Sequence, residues 1–226
     1  MKRSSITLIA FLFLLTSNIT AQNQSPDPLR YTEDVEEISS HGFDFDSNKT
    51  TVVFTGSSSI KMWGDLEERF SSFNIVNAGF GGSHMNELLY WSDKLITKFR
   101  PDAVFIYEGD NDIAEGKSPE LVISQTVELI SNLKSSLTDT RYYLISVKPS
   151  PSRWQFKSEY ETLNQRFKEL ASLSPEIEYV DVWTPMLTPD GSMVQQDIFL
   201  EDDLHMNNAG YDIWEAAIRP HIEQVF

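Results

Sequence analysis

Thr51-Val52-Val53-Phe54-Thr55-Gly56-Ser57-Ser58-Ser59-Ile60 is a run of β-branched and aromatic residues that stops at one glycine and three serines. Both faces of the run are apolar, the pattern of a strand buried in a parallel sheet rather than one half exposed to water. From Ile60 the period changes. Ile60, Trp63, Leu66 and Phe70 recur at helical intervals with charges between them, which predicts an amphipathic helix over residues 60–70 packed on that strand. A serine-rich turn between strand and helix presents backbone N–H groups that no helical carbonyl accepts, so it suits a nucleophile or a bound anion. Serine is also a common N-cap and glycine an ordinary turn residue, so these ten residues alone also fit a plain helix cap.

The alternation repeats downstream. Residues 73–77 read as a second strand that runs into Asn77-Ala78-Gly79-Phe80-Gly81-Gly82-Ser83, and residues 84–99 as a helix with Leu88, Trp91, Leu95 and Phe99 on one face, closed by Pro101. Residues 103–107 form a third apolar run, ending in Glu108-Gly109-Asp110-Asn111-Asp112. Ser118-Pro119-Glu120 opens a helix with proline at its first position, continued by Val122, Val127, Ile130 and Leu133. A fourth strand is expected over 142–147, and a helix over 154–173 with Phe156, Tyr160, Leu163, Phe167 and Leu170 on one face. A fifth strand is expected over 177–182, then a long loop over 183–206 and a last helix from about Asn208. Five strands alternating with helices, without a hairpin signal, predict an α/β protein: a three-layer αβα sandwich around a five-stranded, parallel, doubly wound sheet. Ligands of such sheets bind outside the carboxyl ends of the strands, at the point where the winding reverses.

A chain of 226 residues fits one such domain. Residues 1–21 differ in kind: Lys2 and Arg3, an apolar core from Ile6 to Leu15, then small and polar residues, the make-up of a secretory signal peptide too short to anchor in a bilayer. The mature protein is therefore expected to be secreted or periplasmic, without stable membrane insertion. Residues 22–49 read as a mostly irregular lead-in, with a short helix around residues 33–38 and no evident chemistry, and residues 50–226 as the folded domain. Loss of the signal removes two cations and no anions, taking the formal charge from −16 to −18. Such a surface repels phosphate backbones, which argues against a nucleic-acid partner. The absence of cysteine excludes disulfides, thiol chemistry and thiolate metal sites.

The strand ends then form an inventory. The first supplies Gly56-Ser57-Ser58-Ser59, the second Gly79 to Gly82, the third Gly109 to Asp112, and the loop after the fifth Asp202-Asp203-Leu204-His205. A hydroxyl, a base with an acid to orient it, and donors for an oxyanion are what acyl transfer requires. On these blocks the chain resembles the SGNH or GDSL family of serine esterases and acylhydrolases, over most of its mature length. The resemblance implies the flavodoxin-like SGNH hydrolase fold. It implies Ser58 as nucleophile, matched to the serine of a Gly-Asp-Ser block, with His205 as base and Asp202 as its orienter, from an Asp-x-x-His block followed by Asn207 and Gly210-Tyr211. It also implies an oxyanion hole made by the N–H groups of Ser58 and Gly82 and the side-chain amide of Asn111, from the blocks Asn77 to Gly82 and Gly109 to Asp112. Ser57 departs from the pattern, standing where the family has aspartate.

Asp203 competes with Asp202 for the orienting role, and spacing favours Asp202. The expected reaction is ester hydrolysis without metal or organic cofactor, on a small-molecule or carbohydrate ester with a short acyl chain. Trp63, Trp91 and Trp154 fit the core or a groove wall better than a sugar platform, although Phe80 and Trp154, near the strand ends, are the candidates to hold a flat sugar face. The competing readings are a lipid acylhydrolase, a silent glycan-binding module on the same fold, and a flavodoxin-like phosphate binder, which leaves Asp202 and His205 without a role.

Overall fold

The computed structural model describes residues 25–225; the signal sequence expected over 1–21 lies outside them. Five strands, β1 (Thr51–Gly56), β2 (Asn74–Gly79), β3 (Ala103–Tyr107), β4 (Arg141–Ile145) and β5 (Ile177–Val180), form one sheet in the order β2-β1-β3-β4-β5. Every pairing is parallel, with Val53 aligned to Val76 on one side and to Val104 on the other. The chain steps from β1 outward to β2, then crosses back to β3 and continues to β5. The winding thus reverses beside β1, and the crevice of a doubly wound sheet opens at its carboxyl end. Strand ends differ from the expected ones by one or two residues, within the usual play of such boundaries.

Helices cover both faces. On one face α1 (Thr32–Ser40), α4 (Met85–Leu95), α6 (Pro119–Ser136) and α7 (Lys157–Leu173) bury Val35, Leu88, Leu129 and Phe167 against Val53, Val76 and Val104. On the other, α2 (Ser58–Lys61), α3 (Leu66–Arg69) and α8 (Asn208–Ile222) bury Ile60, Leu66 and Trp214 against Val52, Phe54 and Phe105. A short α5 (Asp110–Ala114) leaves the end of β3. Among the described residues no helix is long and apolar enough to cross a membrane.

Three expectations are corrected. The helix expected over 60–70 is two short helices around a turn at Gly64, although Ile60, Trp63, Leu66 and Phe70 are all buried in one cluster as the spacing implied. The turn seats the Trp63 ring, which stacks on Tyr211 at 5.1 Å between centroids, and glycine weakens a helix at the break. In α6, Val127 is 47% exposed while Thr126 is buried, because the Thr126 hydroxyl donates to the Val122 carbonyl at 2.8 Å and so enters the core satisfied. The lead-in is more ordered than expected: Pro28–Tyr31 forms a 3-10 turn, α1 follows directly, and Val35 is fully buried against the helices of the first face.

Candidate active site

Ser58 owes its place to two glycines and an asparagine. Gly56 ends β1 at φ +129°, where a Cβ would stand 1.9 Å from the Tyr107 carbonyl oxygen, so only glycine lets β1 turn this closely against β3. Gly79 ends β2 where a Cβ would stand 2.3 Å from the Lys61 nitrogen, so α2 rests on bare backbone. Asn77 clasps the same helix, donating from Nδ2 to the Ile60 carbonyl at 2.9 Å. Ser57 is the N-cap residue, yet its side chain caps nothing, which removes the plain helix-cap reading. Of the three serines, Ser57 and Ser59 are 2% and 3% exposed and Ser58 is half-buried, so its hydroxyl is the one that reaches the crevice. As the first residue of α2, Ser58 has an N–H without an intrahelical acceptor.

His205 Nε2 lies 2.9 Å from Ser58 Oγ, and His205 Nδ1 lies 2.5 Å from Asp202 Oδ2. Partial burial works to raise the Asp202 carboxyl, but the bonds it accepts from the His205 ring and from the backbone N–H groups of His205 and Leu204 outweigh it and hold the group at about 2. Asp203 takes φ +56°, its backbone carbonyl accepts from the Ser152 N–H and hydroxyl at 3.1 and 3.0 Å, and its carboxylate makes no hydrogen bond to the His205 ring. Behind the pair, Asn207 caps α8 by accepting from the Ala209 N–H at 2.9 Å, and its amide donates to the Asp197 and Phe199 carbonyls at 2.8 and 3.1 Å. Tyr211 donates to the Ser59 carbonyl at 3.0 Å, joining α8 to the serine turn.

The glycine turn after β2 closes on the same place. A Cβ at Gly81 would stand 3.9 Å from Ser58 Cβ, and among the described residues no acceptor engages the Gly82 N–H. The Asn111 amide donates one hydrogen to the Ser83 carbonyl at 2.9 Å, leaving the other free. Its orientation is fixed by a residue that sequence reasoning passed over: Arg153 Nη2 donates to Asn111 Oδ1 at 3.0 Å, and a guanidinium can only donate, so the NH2 end faces away from it. Arg153 also pairs with buried Asp110, which accepts from the Tyr107 and Tyr160 hydroxyls at 2.9 and 2.8 Å. Burial works against the Asp110 charge, but Lys148 and Arg153 prevail and lower its pKa. Lys148, fully buried, stands 3.5 Å from Asp110 and donates to the Leu204 carbonyl at 2.9 Å, so one cation joins the Asn111 side of the crevice to the His205 side. Neither Arg153 nor Lys148 falls in a recognisable block; the only signal was a cationic pair bracketing the Pro149-Ser150-Pro151 turn at a strand end.

The two aromatic candidates for a sugar platform fare differently. Phe80 is wholly buried in the first-face core and cannot meet a substrate. Trp154 is half-buried, stacks on Trp183 at 6.3 Å and carries Lys157 Nζ 5.2 Å from its ring centroid, so its ring is already engaged. Trp63 and Trp91 are core residues, as expected.

Behind the glycine turn lies Glu108, buried, with Oε1 accepting from the Ser83 hydroxyl at 2.5 Å and Oε2 without a partner. Burial first, and the Asp112 charge second, push its pKa well above the ordinary carboxylate range. The folded state therefore holds a proton that the unfolded chain releases above about pH 4.3. Stability should fall with rising pH from there up to the raised value, by at most about 1.4 kcal/mol per pH unit, or roughly 3–6 °C of Tm in a chain of this size. Glu108→Gln abolishes the slope: thermal melts should coincide with wild type near pH 4 and exceed it increasingly as the pH rises through neutrality. Equal slopes in both proteins would mean that Glu108 is ionised in the fold.

The sequence model of the GDSL-like Lipase/Acylhydrolase family matches residues 51–213. No curated protein matches the chain in sequence. Among solved structures, a GDSL-like lipase from Bacteroides thetaiotaomicron VPI-5482 superposes with a TM-score of 0.74 at 22% identity, covering 88% of this chain and 100% of its own. The lipase/acylhydrolase from Enterococcus faecalis does so with a TM-score of 0.65 at 17% identity, over 77% of this chain and 95% of that one. An acetylxylan esterase from Geobacillus stearothermophilus, in a catalytic mutant form, matches with a TM-score of 0.61 at 15% identity, over 77% and 94%. At these identities the likeness is one of fold.

Proposed function

Since the chain belongs to the GDSL-like lipase/acylhydrolase family and is an ester hydrolase, we propose that it works through an acyl-enzyme with Ser58 as nucleophile. The observation that carries the reading is the relay from Asp202 Oδ2 to His205 Nδ1 at 2.5 Å and from His205 Nε2 to Ser58 Oγ at 2.9 Å. Ser58 Oγ attacks the ester carbonyl while His205 Nε2 takes its proton, and the Asp202 carboxylate stabilises the imidazolium that results. The N–H groups of Ser58 and Gly82 and the free hydrogen of the Asn111 amide receive the charge that develops on the carbonyl oxygen. Collapse of the tetrahedral intermediate returns the proton from His205 to the alcohol and leaves the acyl group on Ser58. Water, deprotonated by His205, then releases the acid. Arg153 serves this cycle by holding the Asn111 amide, and Lys148 by holding the loop that carries His205.

The substrate we propose is an ester of a short acyl group, acetyl to butyryl, with a soluble or carbohydrate alcohol, met outside the cytoplasm after removal of residues 1–21. Among the described residues no segment is free to close over the crevice. The long loop before α8 is anchored by Met186, Val194, Ile198, Phe199 and Met206, buried in the second-face core, and it carries His205 itself. An open crevice shields few methylenes, each worth about 0.8 kcal/mol when buried. Phe80, buried in the core, lends the carbohydrate half no support. A series of acetyl, butyryl, octanoyl and palmitoyl esters tests the reading: kcat/KM should peak at acetyl or butyryl. A maximum at octanoyl or beyond would favour a lipid acylhydrolase instead, and no turnover of any ester would favour a silent binding module.

A further inference from the structure

The segment before β1 meets the glycine turn at one peptide unit. Tyr31 Oη donates to the Gly81 carbonyl at 2.6 Å. That carbonyl shares a planar, trans peptide with the Gly82 N–H, and the two point in opposite directions. A donor clamped on the oxygen therefore sets the direction of the N–H, and by polarising the peptide it makes the N–H a stronger donor. The clamp matters here because Gly81 and Gly82 have no side chains to hold the turn, and Gly82 sits at φ +76°.

Tyr31 is itself held from several sides. Its ring meets Phe80 edge-on at 5.1 Å between centroids. Its neighbour Arg30 grips Glu87 at the start of α4 with two bonds, at 2.6 and 2.9 Å, and reaches the Gly82 carbonyl at 3.4 Å. Trp91 donates from its indole to the Pro28 carbonyl at 2.8 Å. Burial pushes the Tyr31 phenol up to about 12, so it remains a donor at any working pH.

We propose that Tyr31 is a positioning residue of the oxyanion site, its hydroxyl holding the Gly81–Gly82 peptide so that the Gly82 N–H faces the substrate oxygen. The proposal rests on the acyl-enzyme reading above, in which Gly82 is an oxyanion donor. Deleting such a donor outright costs about 10²–10³ in kcat; releasing its clamp misaligns it, for which about tenfold is expected. Tyr31→Phe keeps the ring and removes the hydroxyl. On p-nitrophenyl acetate its kcat should fall about tenfold with KM within about twofold, and its affinity for a boronic acid that adds to Ser58 as a tetrahedral anion should fall by a similar factor. Glu36→Gln, which loosens α1 by breaking its ion pair with Lys94, should lower Tm slightly and leave kcat and boronate affinity unchanged.

Wild-type kcat and boronate affinity in Tyr31→Phe would overturn the proposal, as would an equal loss in Glu36→Gln, which would assign the effect to loosening in general. Should Tyr31→Phe fail to fold, Gly82→Ala replaces it. Its methyl group would stand 3.2 Å from the Tyr31 hydroxyl, and undiminished kcat and boronate affinity there would overturn the proposal equally. A wild-type protein inert towards every ester would instead sink the acyl-enzyme reading, and this proposal with it.

Discussion

Ser58→Ala should lower kcat for ester hydrolysis by about 10⁶ and leave the fold intact. The size of the loss follows from the cooperation of nucleophile and base, since removing either from a serine hydrolase costs nearly as much as removing both. The fold should not notice, because Ser58 is half-buried at the mouth of the crevice and its neighbours, not its hydroxyl, fasten the turn: Ser57 N–H to the Tyr107 carbonyl at 3.1 Å, and the Ser59 carbonyl to Tyr211 at 3.0 Å. Ser57→Ala and Ser59→Ala should keep measurable turnover, since both side chains are buried away from His205. Mass spectrometry of the fluorophosphonate-treated protein checks the assignment independently, with the adduct expected on Ser58. An adduct on Ser57 or Ser59 would reject it.

Asp202→Asn is expected to cost about 10⁴ in kcat at pH 7. With its carboxyl held at about 2, Asp202 is an anion wherever the enzyme works, and it accepts the Nδ1 proton that leaves Nε2 bare towards Ser58. An asparagine amide turned towards the ring would donate to Nδ1, put the proton on Nε2 and so destroy the base. Stability should change little, since the Asp202 side chain is 47% exposed and an exposed pair contributes little. Asp203→Asn should be nearly silent: asparagine tolerates the left-handed backbone found there, and Ser152 contacts only the Asp203 carbonyl. If Asp203→Asn proved the more damaging change, the orienting role would pass to it.

The parts of this molecule that could be read from its residues are those in which one local pattern has one outcome. Strands β1 and β3 are apolar on both faces and central, and both were expected within a residue of where they lie. Asp202 and His205 sit in a block whose spacing is itself the geometry, as the carboxylate that accepts from a ring three residues later demonstrates, whereas Ser58 was reached through the resemblance. What escaped depends on contacts distant in the chain. Nothing local to Arg153 indicates that its guanidinium orients the Asn111 amide, 42 residues earlier, and nothing local to Tyr31 indicates that its hydroxyl reaches Gly81, 50 residues later. Phe80 misled for a related reason: among glycines it looked like an exposed aromatic on a loop, whereas the tight turn drives it into the core beside Tyr31. The helix broken at Gly64 shows that burial spacing survives a change of backbone path, so periodicity identified the buried face and missed the break.

Asp202 and His205 lie three residues apart in one loop, while the serine that the His205 ring contacts is 147 residues away on the far bank of the crevice. A thermal fluctuation that lifts this loop would carry the pair off whole and sever only the link to Ser58. The tip of the loop, residues 200–205, lies between the buried side chains of Phe199 and Met206 and is itself tied to the rest of the domain by bonds to its backbone from Ser152 and Lys148. Loops held in this way open at free energies well below that of global unfolding. On the acyl-enzyme reading, an opening confined to this tip switches activity off reversibly while the sheet beneath remains folded.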